Sequence, residues 1–372
     1  MKSNMKNYVS LWEMQDAAVG LLPGLAKDYY QSGSEDEYAL RENERMYREL
    51  RLRYRVLQKM GDVDTSTTLF GREISFPLYV APAAFQCMAH SEGEIANARA
   101  AADRGVGFCL STLATQPMEE VAAETQGRIP LWFQLYMYKD QGRTRELLQR
   151  AKNSGYQAIA LTVDAPAWGK REVDIHNGFH LPHGMWIRNV DPDGTETLPE
   201  GDGSSGLSDY IGTRFHTVLG WDDIDWIRNE VDLPIIIKGV HHPEDVRLAV
   251  EHGVDGVWVS NHGGRQLDTS TATVAALPDC VEAADGKLPI VVDGGIRRGT
   301  DILKALALGA NAVAVGRPAL WGLAVGGAQG VSRMLEILGD EFRTAMKLIG
   351  AKKVSDLKPE MVVHSGWPFA GR

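Results

Sequence analysis

The chain of 372 residues carries 39 Lys and Arg against 49 Asp and Glu, a formal net charge of -10, with 44% hydrophobic residues. That balance excludes a general nucleic-acid binder, whose affinity comes from cations laid along phosphates, and it obliges any anionic ligand to be met by locally placed Arg and Lys. No apolar run approaches the roughly 20 residues that cross a bilayer, and the opening MKSNMKNYVS lacks the apolar stretch of a secretory leader, so the expectation is a cytoplasmic protein with no membrane partner.

Residues 1–76 read as a helical extension followed by a hairpin. Trp12, Leu21, Leu22 and Leu25 supply apolar faces, Pro23-Gly24 breaks the run, and Tyr29-Tyr30 read first as packing residues. Short strands are expected around Val63-Asp64-Thr65 and Thr67 to Gly71. Residues 77–350 hold a cryptic repeat. Four apolar runs follow a proline directly: Leu78 to Ala81, Leu131 to Leu135, Ile235 to Ile237 and Ile290 to Val292. Four others follow a glycine suited to ending a helix: Phe108 to Leu110, Ala158 to Val163, Gly256 to Val259 and Ala312 to Val315. The two kinds alternate, and amphipathic stretches such as Glu92 to Arg104 and Thr144 to Ser154 lie between them. Eight near-continuous apolar strands separated by helices predict a single-domain α/β protein, a closed (β/α)8 TIM barrel. Residues 351–372 form a tail. One interval breaks the rhythm: 171–232 is long, and its Gly-, Pro- and acid-rich middle predicts a flexible lid over about 189–208. Cys87, Cys109 and Cys280 are too scattered for a disulfide framework or a zinc ribbon. His176, His180 and His183 imitate a metal site, but Asn177-Gly178 and Pro182 interrupt the helix that would align them, so no metal is expected.

Chemistry in such a barrel collects at the carboxyl ends of the strands. The sixth strand ends in Ser260-Asn261-His262-Gly263-Gly264-Arg265-Gln266, which combines a base for neutral pH with a cation that grips a carboxylate in two-pronged fashion. Asp164, ending the fourth strand, can orient His262, and Arg171 can join Arg265. The seventh and eighth strands end in Asp293-Gly294-Gly295-Ile296-Arg297 and Gly316-Arg317, where barrels commonly hold a phosphate. Lys238 ends the fifth strand, as a Schiff-base lysine or as a cation beside a cofactor that becomes negative on reduction. Those two readings stay open on the residues alone.

The run Ser260 to Asp268 closely resembles the signature of the FMN-dependent 2-hydroxy acid oxidases and dehydrogenases. The likeness extends in order through Asp28-Tyr29-Tyr30, Ala81-Pro82, Phe133-Gln134-Leu135-Tyr136, Leu161-Thr162-Val163-Asp164, Gly169-Lys170-Arg171-Glu172, Lys238-Gly239, Asp293 to Gly299 and Gly316-Arg317-Pro318. The resemblance implies an FMN-binding barrel, usually a homotetramer, that oxidises an (S)-2-hydroxy acid to the 2-oxo acid and returns the electrons to O2 as H2O2. It implies His262 as base, Asp164 as its partner, Tyr136 and Lys238 as further catalytic groups, and Tyr29, Tyr136, Arg171 and Arg265 on the substrate. Ala83, Ser111, Gln134, Thr162, Lys238, Ser260, Asp293, Gly295, Arg297, Gly316 and Arg317 would then hold FMN. Leu113 departs from the aromatic wall of glycolate-type relatives, which points to a wider pocket for lactate or a larger aliphatic or aromatic acid. A dehydrogenase using another acceptor is the alternative. A Schiff-base aldolase on Lys238 and a non-catalytic phosphate-ligand-binding barrel are the alternatives from other classes.

Overall fold

The computed structural model describes residues 5–194 and 205–365. Three helices come first: α1 (Leu11–Leu21), whose N-terminus is capped by the Ser10 hydroxyl, α2 (Gly24–Gln31), entered through Pro23, and α3 (Tyr38–Glu49). Strand β1 (Leu50–Leu52) and the hairpin of β2 (Thr67–Leu69) and β3 (Arg72–Ile74), turning at Phe70-Gly71, precede the barrel.

The barrel strands and helices run β4 (Leu78–Val80), α4 (Gly93–Arg104), β5 (Gly107–Ser111), α5 (Met118–Thr125), β6 (Leu131–Leu135), α6 (Gln141–Asn153) and β7 (Ala158–Thr162). After three helices, α7 (Glu172–His176), α8 (Gly206–Arg214) and α9 (Asp222–Glu230), they continue as β8 (Ile235–Val240), α10 (Pro243–Glu251), β9 (Gly256–Val259), α11 (Thr273–Ala284), β10 (Ile290–Val292), α12 (Gly299–Ala307), β11 (Ala312–Val315) and α13 (Arg317–Ile349). Strands β4 to β11 close on themselves, all parallel, with β11 paired to β4. The proline and glycine punctuation works as the sequence predicts. Gly105, Gly155, Gly253 and Gly309 all take left-handed φ before their strands, where a residue without Cβ ends a helix at least cost. The interior is filled by Tyr79, Cys109, Trp132, Ile236, Trp258 and Val291 among small alanines, with Tyr79 and Trp132 stacked at 4.0 Å. Phe70 of the hairpin lies edge-on to Trp132 at 5.5 Å and so helps close the amino-terminal end.

The extension is bolted to the opposite end. The Asp268 carboxylate accepts from the N–H groups of Tyr38 and Ala39 and thereby caps α3 from 230 residues away in sequence. Asn43 and Asn261 exchange side-chain hydrogen bonds at 2.8 and 3.0 Å. The approach is so close that a Cβ at Gly264 would lie 2.4 Å from Leu40 N, and one at Gly295 would meet Asn43 O. The tail also pairs: β12 (Val362–His364) runs antiparallel to β1, a long-range contact its sequence does not signal.

The long interval is more ordered than its composition predicts. Three helices occupy it, and Asn189, expected at the start of a flexible lid, is buried. Its Nδ2 donates to Ser111 O at 3.1 Å and its Oδ1 accepts from Met118 N at 2.9 Å. One amide with good partners fixes what an average over Gly, Pro and acid residues cannot register. Ser205 stands at the N-terminus of α8 and 206–208 form its first turn, while 195–204 lie outside the described residues. Among the described residues no helix is long and apolar enough to cross a membrane.

Candidate active site

The carboxyl ends of the barrel strands surround one pocket, closed on one side by Tyr29 and Tyr30 of α2 and on another by Trp168 and Arg171. The loop after β9 brings in the base. His262 takes a left-handed φ of 57°, its N–H donating to Ser260 Oγ at 3.1 Å. Its Nδ1 lies 3.0 and 3.2 Å from the two oxygens of Asp164. A carboxylate there accepts a proton held on Nδ1, so Nε2 carries the lone pair and accepts from the Tyr136 hydroxyl at 3.2 Å. Burial pulls the imidazole below its ordinary value, with Lys238 and Arg171 adding repulsion and Asp164 opposing. Burial pushes Asp164 up, but the charge and hydrogen bond of His262 leave it lowered overall. At neutral pH the pair is therefore a neutral imidazole against a carboxylate.

Beside it stand two arginines with nitrogens to spare. Arg171 is 2% exposed, lies 3.8 Å over the Trp168 ring, and neither of its terminal nitrogens has a hydrogen-bond partner. Arg265 donates through Nη1 to Tyr29 O and Ser32 O at 2.7 and 2.6 Å and keeps Nη2 unmatched. Its guanidinium sits 4.8 Å from the Tyr29 ring, which is itself stacked on Phe179 at 4.3 Å. A buried and a half-buried like charge with three buried, unmatched nitrogens are costly unless an anion completes them. Sequence reasoning missed Asp174, three residues after Arg171, which is buried with both carboxylate oxygens unpartnered. Burial pushes its pKa up, while Arg265 and Arg171 pull it down. Trp168, also missed, carried no signal beyond its place before Arg171.

The far half of the pocket is polar in a different way. Ser111 Oγ donates to Gln134 Oε1 at 3.1 Å, and Gln134 Nε2 donates to Thr162 Oγ1 at 3.0 Å, a rung of alternating donors and acceptors across β5, β6 and β7. Lys238 Nζ donates to Ser260 Oγ at 3.1 Å and lies 3.6 Å from Asp293 Oδ2, while Ser260 Oγ donates to Asp293 Oδ1 at 2.7 Å. The lysine is thus held as a paired cation, which opposes the Schiff-base reading. Gly294 and Gly295 take φ of 91° and 82°, and Gly316 stands at the N-terminus of α13 with open space where a Cβ would be. Arg297 pairs with Glu44 at 3.0 Å and keeps Nε unmatched.

Known proteins are similar to this chain along nearly its whole length. A family profile described as FMN-dependent dehydrogenase matches residues 18–364. The chain belongs to the FMN-dependent dehydrogenase family. It is 46% identical over 351 residues to an L-lactate oxidase of Nostoc sp., covering 94% of this chain and 96% of that protein. It is 42% identical to a 2-hydroxyacid oxidase of Dictyostelium discoideum, covering 97% and 91%. A crystal structure of mandelate oxidase with (S)-4-hydroxymandelic acid superposes with a TM-score of 0.90 at 41% identity, covering 94% of this chain and 98% of that one.

The family's cofactor is FMN, and the pocket fits it. The unmatched Arg297 Nε and the half-buried helix N-terminus at Gly316 suit a phosphate. The rung of Ser111, Gln134 and Thr162 offers the donors and acceptors a flavin edge requires. Ala83, Lys238, Asp293, Gly295 and Arg317 line the same pocket. Two of the expected contacts also have partners within the protein. Ser260 does not line the pocket; its hydroxyl joins Lys238, Asp293 and the His262 N–H. Arg317 does line it, but its three nitrogens donate to Tyr30 O, Gly263 O and Ser32 O, each at 2.9 Å, so it braces the loops around the phosphate end.

Proposed function

We propose that this protein oxidises an (S)-2-hydroxy acid, lactate or a larger aliphatic or aromatic analogue in preference to glycolate, with O2 as final acceptor. The observation that carries the reading is the placement of three unmatched arginine nitrogens in the same pocket as His262, whose Nε2 lone pair faces the Tyr136 hydroxyl. Arg171 and Arg265 bind the carboxylate, with Tyr29 beside them, and Tyr136 donates toward the substrate hydroxyl. His262 Nε2 removes a proton as the carbon is oxidised, and Asp164 stabilises the imidazolium that results. FMN, when bound, supplies the two-electron acceptor. Lys238, held by Ser260 and Asp293, would set its ammonium group beside the cofactor and offset the negative charge that reduction adds. Substrate loses two electrons and two protons, and O2 leaves as H2O2. Leu113 on the pocket wall, in place of an aromatic ring, supports the wider substrate range. The protein works as a homotetramer in this proposal; the exposed Tyr54, Val56, Leu57 and Leu348 around one groove support a further association surface, and light scattering tests it. The enzymatic test is anaerobic bleaching of the FMN-loaded protein by glycolate, lactate, longer 2-hydroxy acids and mandelate. Bleaching fastest with lactate or a larger acid supports the reading, and no bleaching by any of them contradicts it.

A further inference from the structure

Behind the pocket wall lies a buried polar cluster that none of these roles uses. Glu94, in the first turn of α4, is 0% exposed. Its carboxylate accepts from the Gln86 N–H at 3.0 Å, the Thr115 N–H at 3.0 Å and the Thr115 hydroxyl at 2.9 Å. These donors belong to two different walls. Gln86 follows Ala83 and Ala84 in the loop after β4, and Thr115 follows Leu113 in the loop after β5; Ala83, Ala84 and Leu113 all line the pocket.

The Gln86 side chain passes the constraint on. Its Nε2 donates to Ala83 O at 3.2 Å, and its Oε1 accepts from Asn97 Nδ2 at 2.5 Å. With the Ala83 carbonyl drawn back into the protein, the planar trans peptide points the Ala84 N–H the opposite way. Between the two loops Phe85 is held at a φ of 58°, its N–H donating to Leu113 O at 3.1 Å and its carbonyl accepting from the Tyr30 hydroxyl at 2.7 Å. A non-glycine residue persists in that conformation only where its surroundings over-determine it. A carboxylate meeting donors from both loops does that. The Thr115 hydroxyl closes the cluster by accepting from Cys87 N at 3.0 Å.

We propose that Glu94 is a positioning residue that staples the loop after β4 to the loop after β5, and so sets the spacing between the Ala83-Ala84 edge of the cofactor end and the Leu113 wall of the substrate end. The assignment rests on the function proposed above. Glutamine at this position keeps an amide oxygen for the two N–H donors; alanine leaves both unmatched.

The test compares Glu94→Ala and Glu94→Gln as FMN-loaded proteins. Glu94→Gln keeps the anaerobic bleaching rate within about threefold, whereas Glu94→Ala slows it about tenfold or more, since a reacting centre misplaced by about 1 Å loses up to 10²-fold. Glu94→Ala also shifts the flavin absorbance bands and raises KM more for long acids than for short ones. A role in stability alone lowers Tm in Glu94→Ala while leaving bleaching, KM ratio and flavin bands of the folded protein at wild-type values, and that result overturns the proposal. Equal impairment in Glu94→Gln overturns it too, because position is then not what was lost. If Glu94→Ala does not fold, Thr115→Val carries the same readouts, and wild-type values there overturn it. Wild-type protein that no 2-hydroxy acid bleaches sinks the proposed function instead, and the flavin bands of the variants still decide the role of Glu94.

Discussion

Arg171→Met separates what this site does for function from what it costs the fold. Arg171 is buried, burial and the neighbouring Arg265 push its pKa down to about 9, and its terminal nitrogens have no hydrogen-bond partner within the protein. It remains a cation at neutral pH. A buried charge without a partner carries a desolvation penalty of roughly several kcal/mol that an apolar side chain of similar length removes, and a methionine is flexible enough to pack against Trp168. Asp174 retains Arg265 as its cation. The expected result is a Tm equal to wild type or higher by a few degrees. Binding moves the other way. Two charge-assisted hydrogen bonds of roughly 1.5–3 kcal/mol each are lost, which corresponds to about 10²- to 10⁴-fold weaker binding of a carboxylate. The assay is calorimetric melting alongside titration of FMN-loaded protein with oxalate, followed by flavin absorbance. A variant that melts several degrees lower while binding oxalate as well as wild type refutes the assignment of Arg171.

His262→Ala should keep FMN bound but lose substrate bleaching by about 10²- to 10⁴-fold; near-normal bleaching removes His262 from the mechanism. Because burial lowers the imidazole below its ordinary 6.5, its basic form persists as pH falls, so the acid limb of the bleaching rate should have its midpoint below 6.5. Asp164→Asn removes the anion that opposes this shift, and its acid limb should move to still lower pH with a slower plateau; a limb that moves upward contradicts the pairing. Asp174→Asn removes a negative charge near the two arginines and should tighten oxalate binding about tenfold, the order expected for one charge several Å away in an effective dielectric near 20. Unchanged or weaker oxalate binding counts against Asp174 as their counter-charge.

The strands were legible because their signals are local: Pro77, Pro130, Pro234 and Pro289 stand directly before a strand, and Gly105, Gly155, Gly253 and Gly309 end helices in left-handed conformations. The site was legible because barrel chemistry gathers at strand ends, so His262, Lys238 and Asp164 could be found by counting strands. What escaped is non-local. Asp268 capping α3 and the Asn43–Asn261 pair link residues more than 200 positions apart, beyond any periodicity. The family resemblance assigns Ser260 to the flavin contacts; the rotamer that turns its hydroxyl to Asp293 is encoded in no sequence pattern. Arg317, expected at the phosphate end, also gathers the main-chain carbonyls of Tyr30, Ser32 and Gly263, a convergence no local pattern encodes. Composition marked 189–208 as loose, and the Asn189 side chain ties its first residue to Ser111 and Met118.

The central claim is that FMN in this barrel takes two electrons from a 2-hydroxy acid whose carboxylate Arg171 and Arg265 hold. The most direct measurement is a stoichiometric turnover: FMN-loaded protein is mixed without air with one equivalent of (S)-lactate, the bleaching is recorded, and O2 is then admitted. The account predicts full bleaching, one 2-oxo acid per FMN, and one H2O2 when the yellow colour returns. Bleaching by (R)-lactate alone, or 2-oxo acid formed with the flavin still oxidised under anaerobic conditions, would contradict it.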